Sequence, residues 1–238
     1  MPALATNDRT SLFTAAGALP RSTSTSRRNP RSCDEARVAH RASCVPLPCR
    51  MIVHTTRFDH PLLQGSTMLR LMLLRHAKSD RLEGIADHER PLASRGVRQG
   101  EAMGKYMATH GLTPDLALVS TARRAQETWA LVAPAFGAAI PRIDEPRIYD
   151  ASTADLLHVI HDITAGAHTA ILVGHNPGFE QLATTLAGSG QPHAMSRLSR
   201  EYPTAGLAVL DFKIANWRDV AARGGYLERF ETLGTISG

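Results

Sequence analysis

Three short polar clusters in this chain carry residue types that could transfer a phosphoryl group. They are Arg75-His76, the segment from Ser120 to Arg124, and the segment from Gly174 to Gly178, which contains His175. Arginine offers a phosphate both positive charge and directional donors through its planar fork. A neutral imidazole can attack phosphorus and form a phosphohistidine, which water then hydrolyses. The residue types therefore predict phosphoryl transfer, with a histidine as nucleophile.

Each cluster directly follows a short apolar run, and this placement predicts how the clusters meet. The runs are 71–74, 116–119 and 170–173, and helical patterns follow them. Short runs that are apolar on both faces are typical of buried strands in a mostly parallel sheet. In such sheets the ligand crevice lies beyond the carboxyl ends of the strands. We therefore expect the three clusters to lie together at one edge of the sheet.

Local geometry refines which side chains should face the ligand. Adjacent residues on a helix point about 100° apart, so at most one of Arg123 and Arg124 should reach the site. Asn176 has the residue type of a helix N-cap, with Pro177 in the first helical position. That arrangement would present a positive helix terminus to an anion. Neighbouring arginines should also keep His76 neutral, because like charge disfavours an imidazolium.

From Met68 onwards the pattern predicts one α/β domain, with Ser94 as an N-cap and Gly111 as a helix stop. The final two strands could pair antiparallel at an edge, and 188–203 is rich in Gly, Ser and Pro, which is typical of a loop. The predicted strands are about 70–74, 115–119, 139–142, 169–173, 206–212 and 226–233. The predicted helices are about 94–110, 122–134, 152–165 and 177–187, with Ser152 or Thr153 near the start of the third.

Residues 1–67 differ from the rest in composition and charge. The chain has 238 residues and a formal charge of +5, and this segment holds nine Lys or Arg and four Asp or Glu, so the remainder is neutral. A neutral remainder argues against nucleic-acid binding. The segment holds all three cysteines at irregular spacing, which favours neither a metal site nor a disulfide framework. We expect a disordered basic extension, or a natural start at Met68, while an Arg- and Ser-rich transit peptide remains an alternative.

The motifs resemble those of the histidine phosphatase superfamily, which has the phosphoglycerate-mutase-like fold. Leu74 to Asp80 is similar to its R-H signature, 120–128 to its S-x-x-x-R-A-x-x-T segment, and 173–176 to its second-histidine segment. The likeness is strongest to the short bacterial phosphohistidine phosphatases, which share the D-x-x-R-P-L pattern found at 87–92. The resemblance implies a three-layer α/β sandwich, a mostly parallel central sheet with helices on both faces, over 68–238.

The resemblance also implies a role for each site residue. His76 would be the nucleophile, and Arg75, Arg124 and His175 would hold the phosphoryl oxygens. Arg124 is chosen over Arg123 because it directly precedes Ala125, as in the family motif.

The general acid is assigned by a looser match. Asp150 takes the place of a family Glu in the segment Ile148-Tyr149-Asp150, and Asp80 and Asp87 are the alternatives. A phosphoramidate expels its amine easily, so phosphohistidine needs this acid less than an alkyl ester does.

These residues predict a metal-independent, cofactor-free phosphatase acting on protein phosphohistidine or on phosphomonoesters. The chain lacks room for a long inserted lid after Arg124, and a shallow site favours a protein-borne target. One alternative is an inactive phosphate- or partner-binding module of the same fold. Another is a metal-dependent phosphoesterase, although its D-x-H and G-N-H-[DE] elements are absent from the sequence. We expect a cytoplasmic protein without membrane or nucleic-acid partners, and its oligomeric state is not predicted.

Overall fold

The computed structural model describes residues 68–236, so the predictions for residues 1–67 and their cysteines lie outside the described residues. The strands are β1 (Leu69–Arg75), β2 (Leu116–Val119), β3 (Arg142–Asp144), β4 (Thr169–Gly174), β5 (Ala187–Gly190), β6 (Leu207–Phe212) and β7 (Gly225–Glu231). The helices are α1 (Ser94–Thr109), α2 (Arg123–Val132), α3 (Thr153–His161), α4 (Gly178–Leu186), α5 (Pro192–Leu198) and the single turn α6 (Leu233–Ile236). No helix within these residues is long and apolar enough to cross a membrane.

The strands form one mixed sheet in the order β3-β2-β4-β1-β6-β7-β5. β1 and β2 both pair in parallel with β4, β3 pairs in parallel with β2, and β5 pairs in parallel with β7. Only β6 runs against its two neighbours. The central strands are buried on both faces, which explains why their sequences are apolar without alternation. The predicted mostly parallel sheet is confirmed.

Alternate residues of β1 contribute to two separate cores, one on each face of the sheet. Leu71 and Leu73 pack with residues from α3, α4 and α5. Met72 and Leu74 pack with residues from α1 and α2 on the other face. This alternation follows from the two-residue period of a strand. The result is a three-layer α/β sandwich, as the sequence predicts.

The register of the central strands brings the polar clusters to one edge. Arg75 is paired with Gly174, and the amide of His76 donates to the Gly174 carbonyl at 2.9 Å. β2 ends level with β4, where the amide of Ser120 donates to the Val173 carbonyl at 3.0 Å. The residue that follows each strand therefore lies beside its counterparts from the neighbouring strands.

The predicted loop at 188–203 is wrong, because this segment contains most of β5 and the whole of α5. Its glycines serve close packing rather than a turn. A Cβ atom on Gly188 would lie 1.8 Å from the carbonyl oxygen of Arg223, and one on Gly190 would lie 2.7 Å from Leu227. Pro192 occupies the first turn of α5, where proline needs no amide hydrogen.

Other local predictions have mixed outcomes. Ser94 is the first helical residue and not the N-cap, which is Ala93. Ser152 does cap α3, in a reciprocal capping box with Asp155. Gly111 lies just after α1 with a φ of 66°, as expected of a helix stop.

Two strand predictions needed correction. β3 lies at Arg142–Asp144, a few residues later than predicted. The last two strands, β6 and β7, pair antiparallel as expected, but they do not form the edge of the sheet. β6 lies next to β1, and β5 is the edge strand beside β7.

Candidate active site

A polar cavity of about 420 Å³ opens at the carboxyl ends of β1 and β4. The strand-end clusters, the loop after β1 and the segment before α3 all contribute to it. The cavity is lined by Arg75, His76, Lys78, Ser79, Arg81, Asp87, Arg90, Arg124, Tyr149, Asp150, Ala151, His175, Asn176, Pro177, Gly178 and Thr204. All four side chains predicted to handle the phosphoryl group are present, as is Asp150.

His76 is held with one ring nitrogen bound and the other directed towards an arginine. Its Nδ1 lies 2.7 Å from the carbonyl oxygen of Ala77, which can only accept, so the neutral ring carries its hydrogen on Nδ1. Its Nε2 carries the one lone pair of the neutral ring, and this lone pair accepts from Nε of Arg124 at 3.3 Å. Burial, helped by the charges of Arg124 and Arg75, lowers the pKa of His76 to about 4. His76 is therefore neutral at pH 7, as a nucleophile must be.

His175 lies close to His76, with the two ring centroids 5.1 Å apart. Its Nε2 is 2.8 Å from the hydroxyl of Ser120, while its Nδ1 is buried without a hydrogen-bond partner among residues 68–236. Burial lowers its pKa to about 3, helped by the proximity of His76 and Arg124. The site therefore holds two neutral imidazoles between cationic side chains.

The two arginines reach the site from different elements. Arg75, the last residue of β1, donates from Nη1 to the Tyr202 carbonyl at 2.6 Å, and its Nε is buried without a partner. Arg124, in the first turn of α2, is 6% exposed and contacts His76. Arg123 lies on the outer face of α2 and pairs with Glu127 at 2.7 Å. The structure therefore places Arg124 in the cavity and Arg123 on the surface.

Asp87 joins several side chains at the mouth of the cavity. Its carbonyl oxygen and Oδ2 accept from the two terminal nitrogens of Arg124, at 2.6 and 3.0 Å. Its Oδ1 accepts from Arg90 at 2.7 Å, and Oδ2 also accepts from the hydroxyl of Tyr149 at 3.0 Å. Hydrogen bonds from Arg90 and Tyr149, and the charge of Arg124, lower the pKa of Asp87 to about 2. Asp87 is thus ionised at neutral pH and orients Arg124.

The structure separates the three candidates for the general acid. Asp150 is exposed and lines the cavity, with a left-handed backbone at φ 51° that is uncommon for a residue other than glycine. Asp87 also lines the cavity but is held ionised, and Asp80 is not among the lining residues.

The prediction that Asn176 caps α4 is wrong. The helix begins at Gly178, and Pro177 occupies the cap position without a side-chain hydrogen bond. The Asn176 amide instead donates to Glu180 at 2.9 Å and to the Tyr202 carbonyl at 3.1 Å. A cap would need Oδ1 of Asn176 to accept from a backbone amide of α4, and this oxygen has no partner within residues 68–236.

Sequence reasoning gave no role to three side chains that shape the site: Ser120, Arg90 and Tyr149. Ser120 follows β2 directly, so the strand-end rule that selected His76 could have selected it as well. Arg90 lies in the D-x-x-R-P-L pattern, three residues after Asp87, and forms a salt bridge with that residue in the structure. No sequence pattern pointed to Tyr149, because its hydroxyl donates to Asp87, which is 62 residues away in the sequence.

Comparison with known proteins identifies the family of this chain. The sequence profile of the histidine phosphatase superfamily (branch 1) matches residues 71–156. The chain is 38% identical over 150 residues to the uncharacterized protein Rv1276c of Mycobacterium tuberculosis, covering 62% of this chain and 91% of that protein. A solved structure from Agrobacterium tumefaciens, named as a candidate phosphohistidine phosphatase SixA, shares 30% identity with a TM-score of 0.59, over 69% of this chain and 97% of that one. The chain belongs to the histidine phosphatase superfamily.

Two further structures extend the comparison within the superfamily. A SixA homologue from Nakamurella multipartitia, also named as a candidate phosphohistidine phosphatase, has 28% identity and a TM-score of 0.60, over 69% of this chain and 96% of that chain. The protein histidine phosphatase SixA in complex with tungstate has 16% identity and a TM-score of 0.55, over 71% of this chain and 99% of that chain. It shares the fold. Membership of the superfamily supports a phosphatase function.

Proposed function

We propose that this chain is a metal-independent phosphatase that hydrolyses phosphohistidine on proteins through a phosphoenzyme at His76. The observation that carries the proposal is the state of the site's nitrogens. The Nε2 lone pair of neutral His76 faces Nε of Arg124, whose place a phosphorus atom would take, and beside it Nε of Arg75 and Nδ1 of His175 are buried without partners among residues 68–236. Buried polar atoms are normally hydrogen-bonded, so unpaired ones at a cavity indicate a ligand that completes them.

The proposed reaction has two displacement steps at phosphorus. In the first, Nε2 of His76 forms a bond to phosphorus while the bond from phosphorus to the substrate's imidazole nitrogen breaks. The leaving imidazole takes up a proton from Asp150 or from solvent, and the attacking water of the second step returns that proton. Arg75, Arg124 and His175 hold the three phosphoryl oxygens as charge spreads over them. In the second step a water oxygen attacks phosphorus and the bond to Nε2 breaks. This step releases inorganic phosphate and regenerates neutral His76.

The available acids support phosphohistidine over an alkyl ester. Asp87 is ionised and bound to arginines, so it is poorly suited to protonate a leaving group. Asp150 stays our candidate for the general acid, at the rim of the cavity. An alkoxide needs such a proton donor more than an imidazole does, because imidazole is the better leaving group. We therefore expect Asp150→Asn to reduce alkyl phosphate hydrolysis at least about tenfold more than phosphohistidine hydrolysis, within the range that general acids contribute.

The loop beside the cavity supports a protein as the substrate. Between Arg81 and Asp87, both of which line the cavity, Leu82 is 51% exposed and Ile85 is 37% exposed. Large apolar side chains at the rim of a polar cavity are suited to contact with a protein surface. Leu82→Asp should therefore slow the dephosphorylation of a phosphoprotein while leaving a small phosphomonoester unaffected.

The deciding experiment measures phosphate release from a histidine-phosphorylated protein and from a panel of small phosphomonoesters, each with and without EDTA. We expect turnover that EDTA does not reduce, a preference for the phosphoprotein, and an acid-labile phosphate label on the enzyme. Turnover that EDTA abolishes would favour a metal-dependent phosphoesterase. Binding of phosphate without turnover would favour an inactive module.

A further inference from the structure

The buried hydroxyl of Ser120 contacts one of the two histidines in the cavity. Ser120 is completely buried, and its Oγ lies 2.8 Å from Nε2 of His175. The amide of Ala122 also approaches this oxygen, at 3.4 Å. These are the contacts that the Ser120 hydroxyl makes with other described residues.

The direction of these hydrogen bonds follows from what each partner can do. An amide N–H only donates, so the Ser120 oxygen accepts from Ala122 and the hydroxyl hydrogen needs another acceptor. The unprotonated Nε2 of His175 is that acceptor. If Nε2 carried the hydrogen instead, the serine hydrogen would be buried without a partner, which is costly.

We propose that Ser120 is a positioning residue that fixes His175 as the neutral tautomer protonated at Nδ1, and thereby supplies an N–H donor for a phosphoryl oxygen. The proposal rests on the proposed function in that the donor is assigned to a phosphoryl group. Nδ1 of His175 is available for this contact, since it is buried and has no partner among the residues that the structure describes. The pKa of His175, which burial lowers to about 3, means that the ring is neutral at pH 7 and so carries one hydrogen.

The two histidines would then share one tautomer and use opposite nitrogens. The Ala77 carbonyl fixes the hydrogen of His76 on Nδ1 and leaves Nε2 as the nucleophile. The Ser120 hydroxyl occupies Nε2 of His175 and leaves Nδ1–H as a donor. A lone pair directed at phosphorus and a hydrogen directed at its oxygens are the two functions that such a site needs.

The direct test is the ring ¹⁵N spectrum of the full chain labelled in histidine, recorded at pH 7. We expect the Nδ1-protonated pattern for His175 in the wild type, and a shift towards the Nε2-protonated form in Ser120→Ala. His161 provides an internal reference, because its Nε2 lies 2.8 Å from the Val220 carbonyl and must carry the hydrogen when the ring is neutral. An Nε2-protonated His175 in the wild type would overturn the proposal, whether or not the variant folds.

Kinetics provide the second readout. We expect Ser120→Ala to lower kcat/KM for p-nitrophenyl phosphate about 10- to 100-fold and to weaken competitive inhibition by inorganic phosphate, in a protein that stays folded at the assay temperature. Ser120→Thr keeps the hydroxyl and should retain both the tautomer and most of the activity. Equal activity of the alanine variant and the wild type would contradict the role assigned to Ser120. A wild-type enzyme that hydrolyses no phosphate compound would contradict the proposed function while leaving the tautomer measurement valid.

Discussion

The two ends of the central parallel strands both carry a cavity lined by histidines and charged side chains, yet their polar atoms are satisfied in opposite ways. The cavity at the amino end, about 340 Å³, is lined among others by His161, Asp162, His168 and Arg218. The cavity at the carboxyl end contains His76 and His175 with their arginines. Residue type alone therefore does not distinguish the two ends.

At the amino end, polar groups are paired within the protein. Asp115 accepts from the backbone amides of His168 and Thr169, both at 2.8 Å. Asp162 pairs with Arg147 at 2.7 Å, and the ring of His161 binds a backbone carbonyl. These bonds connect loops and strand ends, which is the structural use of such residues.

At the carboxyl end, the pairing is left incomplete. Within residues 68–236, the buried side-chain nitrogen and oxygen atoms without a partner are Nε of Arg75, Nδ1 of His175 and Oδ1 of Asn176, and all three lie here. Burial without a partner is unfavourable, so these positions contribute binding capacity at the expense of stability. A ligand site can therefore be recognised by buried polar atoms that lack hydrogen-bond partners.

The largest expected difference is between two variants, each with one histidine replaced by alanine, at opposite ends of the strands. His76→Ala should reduce turnover by at least about 10³-fold, because the nucleophile is lost and only binding and charge stabilisation remain. His161→Ala should leave turnover within about twofold, since this ring only supports a loop. Phosphate release and trapping of a labelled phosphoenzyme measure both variants. Label that still attaches to the His76→Ala protein would show that the nucleophile lies elsewhere.

A smaller effect should separate two adjacent arginines. Arg124→Ala should cost about 2.7–4 kcal/mol of transition-state stabilisation, the range for removing one preorganised donor. Arg123→Ala should be nearly silent, because this side chain is exposed and pairs only with Glu127 on its own helix. The ratio of kcat/KM for the two variants measures the difference. Equal losses would mean that the face of α2 turned to the site is misassigned.

Much of the fold could be predicted because the apolar runs are strong local signals. The strands around 71–74, 116–119 and 170–173 needed only their apolar character and the helical patterns between them. β5 could not be found in this way. Its glycines, among them Gly188 and Gly190, signal a loop locally and are required only because β7 and Arg223 approach them closely.

In the site, too, the residues that local sequence signals mark could be predicted, and the contacts between distant segments could not. His76, Arg124 and His175 follow strand ends, so parallel topology alone brings them together. The contact between Asp87 and Tyr149, and the bond from Asn176 to the Tyr202 carbonyl, depend on how separate loops pack. No spacing in the sequence encodes those contacts, and the cap assigned to Asn176 failed for this reason.

The smallest expected effect concerns stability in acid. The folded chain holds His76 neutral with a pKa of about 4, whereas an unfolded histidine has a pKa near 6.5. As pH falls below about 6.5 the unfolded chain takes up a proton that the folded chain refuses, so unfolding becomes more favourable until the pH reaches about 4. His76→Ala removes this proton uptake. Between pH 7 and pH 5, the free energy of unfolding should therefore fall by on the order of 2 kcal/mol less in the variant than in the wild type.

Urea denaturation at the two pH values measures this difference, with His161→Ala as the matched control from the other end of the strands. The control should retain the wild-type loss of stability in acid, because it leaves both buried site histidines in place. Equal acid sensitivity of His76→Ala and the wild type would show that His76 is not held neutral by its surroundings. The nucleophile would then have to lose a proton before each turnover at mildly acidic pH. Such a result would also mean that burying His76 beside Arg124 and Arg75 has no measurable cost in stability.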